Sequence, residues 1–180
     1  KTPSKNGKCK NCPDLPPTFI VGERDELIGT LIHDFKFNSV RALAHPLAEL
    51  AHATLPKING DVAIVPLPTI AQHIRTRGLD HTHLVAKHLA KLRGRNYHVE
   101  KLLYRTKSTV QVGTNRQTRI AQAATAYELD QRHSIDPTTT YILLDDVWTT
   151  GASLKAALKK LREAGAKKII IAILAVNRLD

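Results

Sequence analysis

The stretch that most constrains this chain is Tyr141-Ile-Leu-Leu-Asp-Asp-Val-Trp-Thr-Thr-Gly-Ala-Ser153. An apolar run of strand length passes directly into two adjacent carboxylates, and a hydroxyl-rich turn then opens a helix. That helix is read over Ala152–Ala164. Leu154, Leu158 and Leu161 mark one face, Lys155, Lys159 and Arg162 the other, and Gly165 is placed as its C′ residue. A second buried strand follows over Lys168–Val176. Strand, helix and strand in succession imply a right-handed βαβ unit in a parallel sheet. The expected fold class is therefore α/β and Rossmann-like, a central mostly parallel sheet flanked by helices.

The same stretch carries the chemistry. Ligands of open α/β sheets sit at the carboxyl ends of the strands. A helix start offers unpaired N–H groups and a positive dipole end to an anion. Gly151 lets the backbone wrap close to a phosphate, and Thr149, Thr150 and Ser153 add hydroxyl donors. Asp145 and Asp146 cannot bind phosphate, so they must serve another part of the ligand, and sugar hydroxyls fit them best. The combination describes a ribose 5-phosphate site. Helix capping explains Thr and Ser. It does not explain two charged residues at the end of a buried strand, where charge is costly unless something binds it.

Upstream, apolar spacing predicts helices over Arg24–Phe37 and Val40–Leu55. A short buried strand over Asp61–Leu67 stops at Pro66 and Pro68, which cannot donate ladder hydrogen bonds. A loop with Arg75, Arg77 and Gly78 follows, then a helix marked by Leu84, Val85, Leu89 and Leu92 and closed near Gly94. Tyr97–Tyr104 is read as one strand. Arg105–Ile120 is polar, and a loop of that length in a small domain is usually functional. Residues 1–17 read as a polar tail, 18–180 as the domain, and 19–57 as a helical hood.

The chain carries 27 Lys+Arg against 16 Asp+Glu in 180 residues, a net charge of +11. Between His73 and Arg119 there are 11 Lys+Arg and two acids, Asp80 and Glu100, giving +9. Such a block attracts nucleic acid or a polyphosphate ligand, although scattered Lys and Arg more often form a solvated face. Aromatic residues make up 4%, too few for a row of base-stacking platforms, which favours a compact phosphate ligand. No apolar run spans a bilayer, and the start carries no apolar signal core. Two cysteines two residues apart form no disulfide framework, so a reducing, cytoplasmic setting is expected. There is no Gly-x-x-x-x-Gly-Lys-Ser/Thr, so a P-loop reading is weak.

The Tyr141–Ser153 segment closely resembles the signature of type I phosphoribosyltransferases: hydrophobics, two acids, hydrophobics, then Thr-Gly and a hydroxyl residue. The wider chain, from about Phe19 to Val176, is similar to the ComF family, whose bacterial members are linked to competence and DNA uptake. Supporting stretches are Leu27–Phe37 with its His-Asp-Phe-Lys-Phe end, Val65-Pro-Leu-Pro, and Arg75-Thr-Arg-Gly78. Arg105-Thr-Lys-Ser-Thr-Val-Gln-Val-Gly113, followed by Arg116 and Arg119, resembles the family's flexible loop.

The resemblance implies phosphoribosyl pyrophosphate as donor, bound with Mg²⁺, and a type I phosphoribosyltransferase fold. Asp145 and Asp146 take the ribose hydroxyls. Thr149, Thr150, Gly151, Ala152 and Ser153, with Val147 beside them, form the 5′-phosphate turn. The loop around Pro66, Arg75, Arg77 and Gly78 faces pyrophosphate and metal. Arg105, Gln111, Arg116 and Arg119 belong to a loop that closes over the site, with Arg105 in a catalytic role beside the acid pair. In this fold class the acceptor pocket comes from the hood, here within Phe19–Lys57. Trp148 is a bulky choice, either packing under a bound ribose or base or serving the core alone.

Cys9-Lys-Asn-Cys12 has the spacing of a zinc half-site, two ligands where a closed site needs four. The chain has no Met and begins at Lys1, so residues ahead of it are expected. ComF-like chains often carry an N-terminal zinc ribbon, which would supply a second pair and hold Zn²⁺ only in a longer chain. His81-Thr-His83 is read as exposed rather than metal-binding. Two functions stay open: phosphoribosyl transfer, and a non-catalytic accessory that binds nucleic acid through residues 73–119 or senses the donor. A homo-oligomer is a further open partner.

Overall fold

The computed structural model describes residues 15–24, 26–38, 40–106 and 126–176. Cys9, Cys12, Gln111, Arg116 and Arg119 lie outside the described residues. So does most of the loop expected over Arg105–Ile120.

Five parallel strands form the central sheet: β1 (Thr18–Glu23), β2 (Val62–Pro66), β3 (Tyr97–Val99), β6 (Thr140–Trp148) and β7 (Lys168–Val176). Their spatial order is β1-β7-β6-β2-β3. The two long strands read from sequence, β6 and β7, form the centre of the sheet. They register Tyr141 against Ile169 and Leu143 against Ile171.

Strands buried on both faces read as continuous apolar runs, and the period of two sorts their side chains into separate cores. Ala63, Val65, Tyr141, Leu143, Ile171 and Ile173 face a cluster with Leu154, Leu158 and Leu161 of α5 (Ala152–Glu163). Val62, Ile64, Ile142, Leu144, Ala172 and Leu174 face the opposite cluster. There they meet α1 (Glu26–Phe37), α2 (Ala44–Thr54) and α4 (His81–Arg93) through Ile32, Phe35, Leu47, Ala51, Val85 and Leu89. The result is three layers, helices on both faces of one parallel sheet.

Four sequence expectations change. Residues 19–57 are not helical throughout, because Thr18–Glu23 forms β1 and pairs with β7 at the sheet edge. The three apolar residues Phe19-Ile20-Val21 are too short a run for periodicity to separate strand from helix. The segment bearing Arg75 and Arg77 is not a loop but a short helix, α3 (Ala71–Arg77), which ends at Gly78 with φ 66°. Only glycine adopts that left-handed conformation freely. Tyr97–Tyr104 is not one strand. β3 ends at Val99, and β4 (Leu103–Arg105) turns away to pair antiparallel with β5 (Tyr127–Leu129) outside the main sheet. Finally, His81 and Thr82 are buried, not exposed. Asp80 caps α4 by accepting from the His83 N–H at 3.3 Å, and this draws the first turn inward.

Arg93 leaves the expected solvated basic face. Its guanidinium donates to the carbonyls of His52 (2.7 Å), Leu55 (2.6 Å) and Pro56 (3.0 Å), closing the carboxyl end of α2 from α4. A cation there also complements the helix dipole. Arg93→Ala should cost about 1.5–3 kcal/mol, the range for hydrogen bonds to a charged group. Urea unfolding should show a lowered midpoint with an unchanged slope, and Arg93→Lys should recover only part of the loss.

Candidate active site

The site follows from where β2 stops. Leu67 N–H still donates to the Leu144 carbonyl at 2.8 Å, while Pro66 and Pro68 fall on the alternate positions that face β3, where Val62 N–H meets Asn96, and offer no donor on that side. The last registered pair of β2 and β6 is Pro66 opposite Leu144. β6 runs on. Asp145, Val147 and Trp148 register against β7 alone, opposite Ile173, Ala175 and Val176. Beyond Leu144, β6 thus has strand neighbours on one side only. The crossover from β2 leads out to β3, and that from β6 leads out to β7. A crevice opens between strands whose connections part in this way.

A cleft of about 360 Å³ occupies that crevice. Its walls are Asp145, Asp146, Val147, Thr149 and Ser153 from β6 and the following turn, Leu67–Ile70 and His73 after β2, and Arg105 and Tyr127 of the β4–β5 hairpin. α1 contributes Ile32, His33, Lys36 and Phe37; Arg24, His81 and Thr82 complete the lining. The structure therefore brings Asp145, Asp146, Val147, Thr149, Ser153 and Arg105 together around one cleft. Thr150, Gly151 and Ala152 form the turn beneath them. Pro66 is the buried last residue of β2, Arg75 is exposed on α3, and Gly78 ends that helix. None of these three lines the cleft; Thr69, Ile70 and His73 stand there from the same segment.

The acid pair has a partner from a distant element. Lys36 Nζ lies 2.7 Å from Asp146 Oδ2, each side chain about 20% exposed. Asp145 accepts the Asp146 backbone N–H at 2.9 Å. Burial first, then the neighbouring Asp146 charge, push the Asp145 carboxyl up to about 7; the Asp146 N–H, Lys36 and Arg105 pull the other way. Lys36 lies on Asp146, and the Asp145 carboxyl is the one pushed toward its protonated form.

The turn is shaped by a close approach. Gly151 sits at φ 74°, and a Cβ there would meet Trp148 Nε1 at 2.9 Å. Trp148 is buried in the core beneath the turn, so its role here is packing. α5 begins without a side-chain cap; Thr150 Oγ1 accepts the Ala152 N–H at 3.3 Å instead. Tyr127 ties the turn to the hairpin. It hydrogen-bonds Ser153, and Arg105 Nη1 donates to its hydroxyl at 3.4 Å, with the guanidinium 5.5 Å from the ring centroid. Burial raises the Tyr127 hydroxyl pKa, while Ser153 and Arg105 lower it.

The model of the phosphoribosyl transferase domain family matches residues 81–179, more than half of the chain. The chain belongs to that family. It is similar to Competence protein F of Haemophilus influenzae, 26% identical over 172 residues that span 89% of this chain and 75% of that protein. Among solved structures it is similar to a hypoxanthine phosphoribosyltransferase from Staphylococcus aureus, with TM-score 0.43 and 10% identity. That match covers 77% of this chain, and the chain spans 64% of that structure's length.

Sequence reasoning assigned no role to Lys36, Phe37, His81, Thr69 or Tyr127. The His-Asp-Phe-Lys-Phe end of α1 was the one available signal.

Two outcomes follow. Gly151→Ala meets both the positive φ and the Trp148 ring, so it should shift the fluorescence of this single tryptophan and lower the thermal midpoint. For Asp145, the unfolded carboxyl titrates near 3.8 and the folded one near 7. Between those values the folded chain holds the extra proton, so stability falls as pH rises through that window. Asp145→Asn removes the slope. Its thermal midpoint should exceed that of the wild type at pH 8, by roughly 2–4 °C per kcal/mol relieved, and the gap should close toward pH 4.

Proposed function

We propose that this cleft binds phosphoribosyl pyrophosphate and transfers its 5-phosphoribosyl group to an acceptor with release of pyrophosphate. The observation that carries the reading is the overhang of Asp145 and Asp146 beyond the end of β2, directly above an uncapped, glycine-opened helix start. Phosphate suits the turn of Thr149–Ser153, where backbone N–H groups and a helix dipole favour an anion. The 2′ and 3′ hydroxyls suit the carboxylates, which accept what hydroxyls donate.

Displacement at the anomeric carbon develops positive charge on the sugar and negative charge on the leaving group. Groups already placed at those charges stabilise the transition state. The carboxylates of Asp145 and Asp146 stand beside the sugar. Arg105, held against Tyr127, is the cation on the hairpin wall.

Among the described residues no cluster of three or more side chains could hold a metal. Mg²⁺ keeps several of its waters and is bound through one or two carboxylates together with substrate phosphates. The segment Leu67–Ile70 after β2 would face it, with Thr69 as its hydroxyl. When bound, Mg²⁺ would neutralise charge on the departing pyrophosphate.

A water-poor cleft would protect the donor from hydrolysis. Ile32, Leu67, Ile70 and Val147 give this one part of its wall. No helix among the described residues is long and apolar enough to cross a membrane.

Calorimetry with phosphoribosyl pyrophosphate and Mg²⁺ tests the reading. The wild type should bind saturably, and Asp145→Asn/Asp146→Asn should lose the binding while remaining folded by circular dichroism. A folded wild type that binds no donor overturns the reading. A steeply salt-dependent affinity for DNA would then favour the accessory alternative.

A further inference from the structure

Ribose 5-phosphate on β6 and its turn leaves one wall of the cleft uncovered. Ile32, His33, Lys36 and Phe37 recur at i, i+1, i+4 and i+5 of α1, a spacing that gathers them on one helical face. All four line the cleft. Phe37 is 58% exposed, yet its ring is held: it meets the His33 imidazole at 5.0 Å between centroids and 38° between planes. A flat molecule entering beside Lys36 finds an aromatic ledge already in place.

The same wall is cationic. Lys36 is its cation, whereas the carboxylates of the lining, Asp145 and Asp146, stand on β6. Lys36 now lies on Asp146. Ribose hydroxyls arriving at Asp146 compete with the ammonium for the same oxygens. A partly buried ammonium without an anion is costly, so Lys36 then needs a new one. Pyrophosphate has its own wall, the segment after β2. The acceptor is the molecule left to supply the charge.

We propose that the α1 face of His33, Lys36 and Phe37 is the acceptor subsite, and that the acceptor is a planar nitrogen heterocycle bearing an acidic group such as a carboxylate. The inference rests on the donor reading above. Lys36 takes the acidic group, and the Phe37–His33 ledge sets the plane of the ring. The ring nitrogen then forms the bond to the anomeric carbon, and the bond from that carbon to pyrophosphate breaks, its electron pair leaving on the pyrophosphate oxygen. A pyridine nitrogen attacks through its lone pair and becomes a pyridinium with no proton to lose, whereas a ring nitrogen that bears hydrogen, as in orotate, releases that proton to water. A neutral base offers Lys36 no anion and is disfavoured.

Calorimetry on the full chain, held with ribose 5-phosphate and magnesium pyrophosphate to occupy the donor site without turnover, tests this. The probes are pyridine-3-carboxylate, orotate, the uncharged pyridine-3-carboxamide, and hypoxanthine. At least one carboxylate should bind about tenfold or more tighter than both neutral probes, the scale of one desolvated charge pair. Phe37→Ala and Lys36→Met should each weaken that carboxylate by about tenfold more than they weaken ribose 5-phosphate, and Lys36→Arg should restore part of the Lys36 effect. The inference is overturned by neutral probes that bind as well as the carboxylates. It is equally overturned by no saturable binding of either carboxylate, or by carboxylate binding that ignores both substitutions. A wild type that takes up no ribose 5-phosphate fails at the first step and overturns the donor reading along with it.

Discussion

The site depends on an unequal pair of neighbouring strands. β2 stops at Pro66, and β6 continues past it against β7. An acid pair inside a five-stranded parallel sheet would be buried with little access to ligand. Displaced by a few residues, the same pair projects into the crevice where the crossovers part. The end of β2 at Pro66 thus leaves Asp145 and Asp146 without a neighbour on one side, and the next residues, Leu67–Ile70 with Pro68 among them, line the cleft that opens there.

Charge balance in that crevice is incomplete without an outside contribution. Two carboxylates side by side at a strand end repel, and burial adds to the cost. The protein answers with Lys36 from α1, with the Asp146 backbone N–H on Asp145, and with an Asp145 carboxyl whose pKa is pushed up to about 7. This arrangement suits a site whose occupant later replaces the internal partner: hydroxyls can take the carboxylates, and the ammonium is freed for an anion. Beneath it, the Thr149–Ser153 turn is rigid for a different reason. Trp148 fills the space under Gly151 so closely that no Cβ fits, and Tyr127 links Ser153 to Arg105. The Thr149–Ser153 turn and the cation of the β4–β5 hairpin are therefore linked through Tyr127, beside the acid pair.

Much of this was legible locally. Tyr141–Ser153 holds strand, acids, turn and helix start in one contiguous run, so the ribose-phosphate reading needed no long-range contact. β7 and α5 were legible for the same reason, each a sustained pattern of its own period. Short elements were not. β1 offers three apolar residues in a row, β5 is three residues long, and α3 lies between Pro68 and Gly78 in a stretch that reads as loop. Burial of His81 was hidden as well. A histidine at a helix start is ordinarily solvated, and only the packing of Phe35 edge-on to its ring, at 4.7 Å, encloses it.

The sequence by itself determined the α/β class, the parallel βαβ unit, and the run of acids and hydroxyls at the strand end and helix start, because each is encoded in neighbouring residues. Tertiary structure alone decided that Lys36 meets Asp146, that Arg93 closes α2, and that the β4–β5 hairpin brings Tyr127 to Ser153. Those pairings join elements far apart in the chain. Their side chains are ordinary lysine, arginine and tyrosine, whose partners are set only when the layers pack.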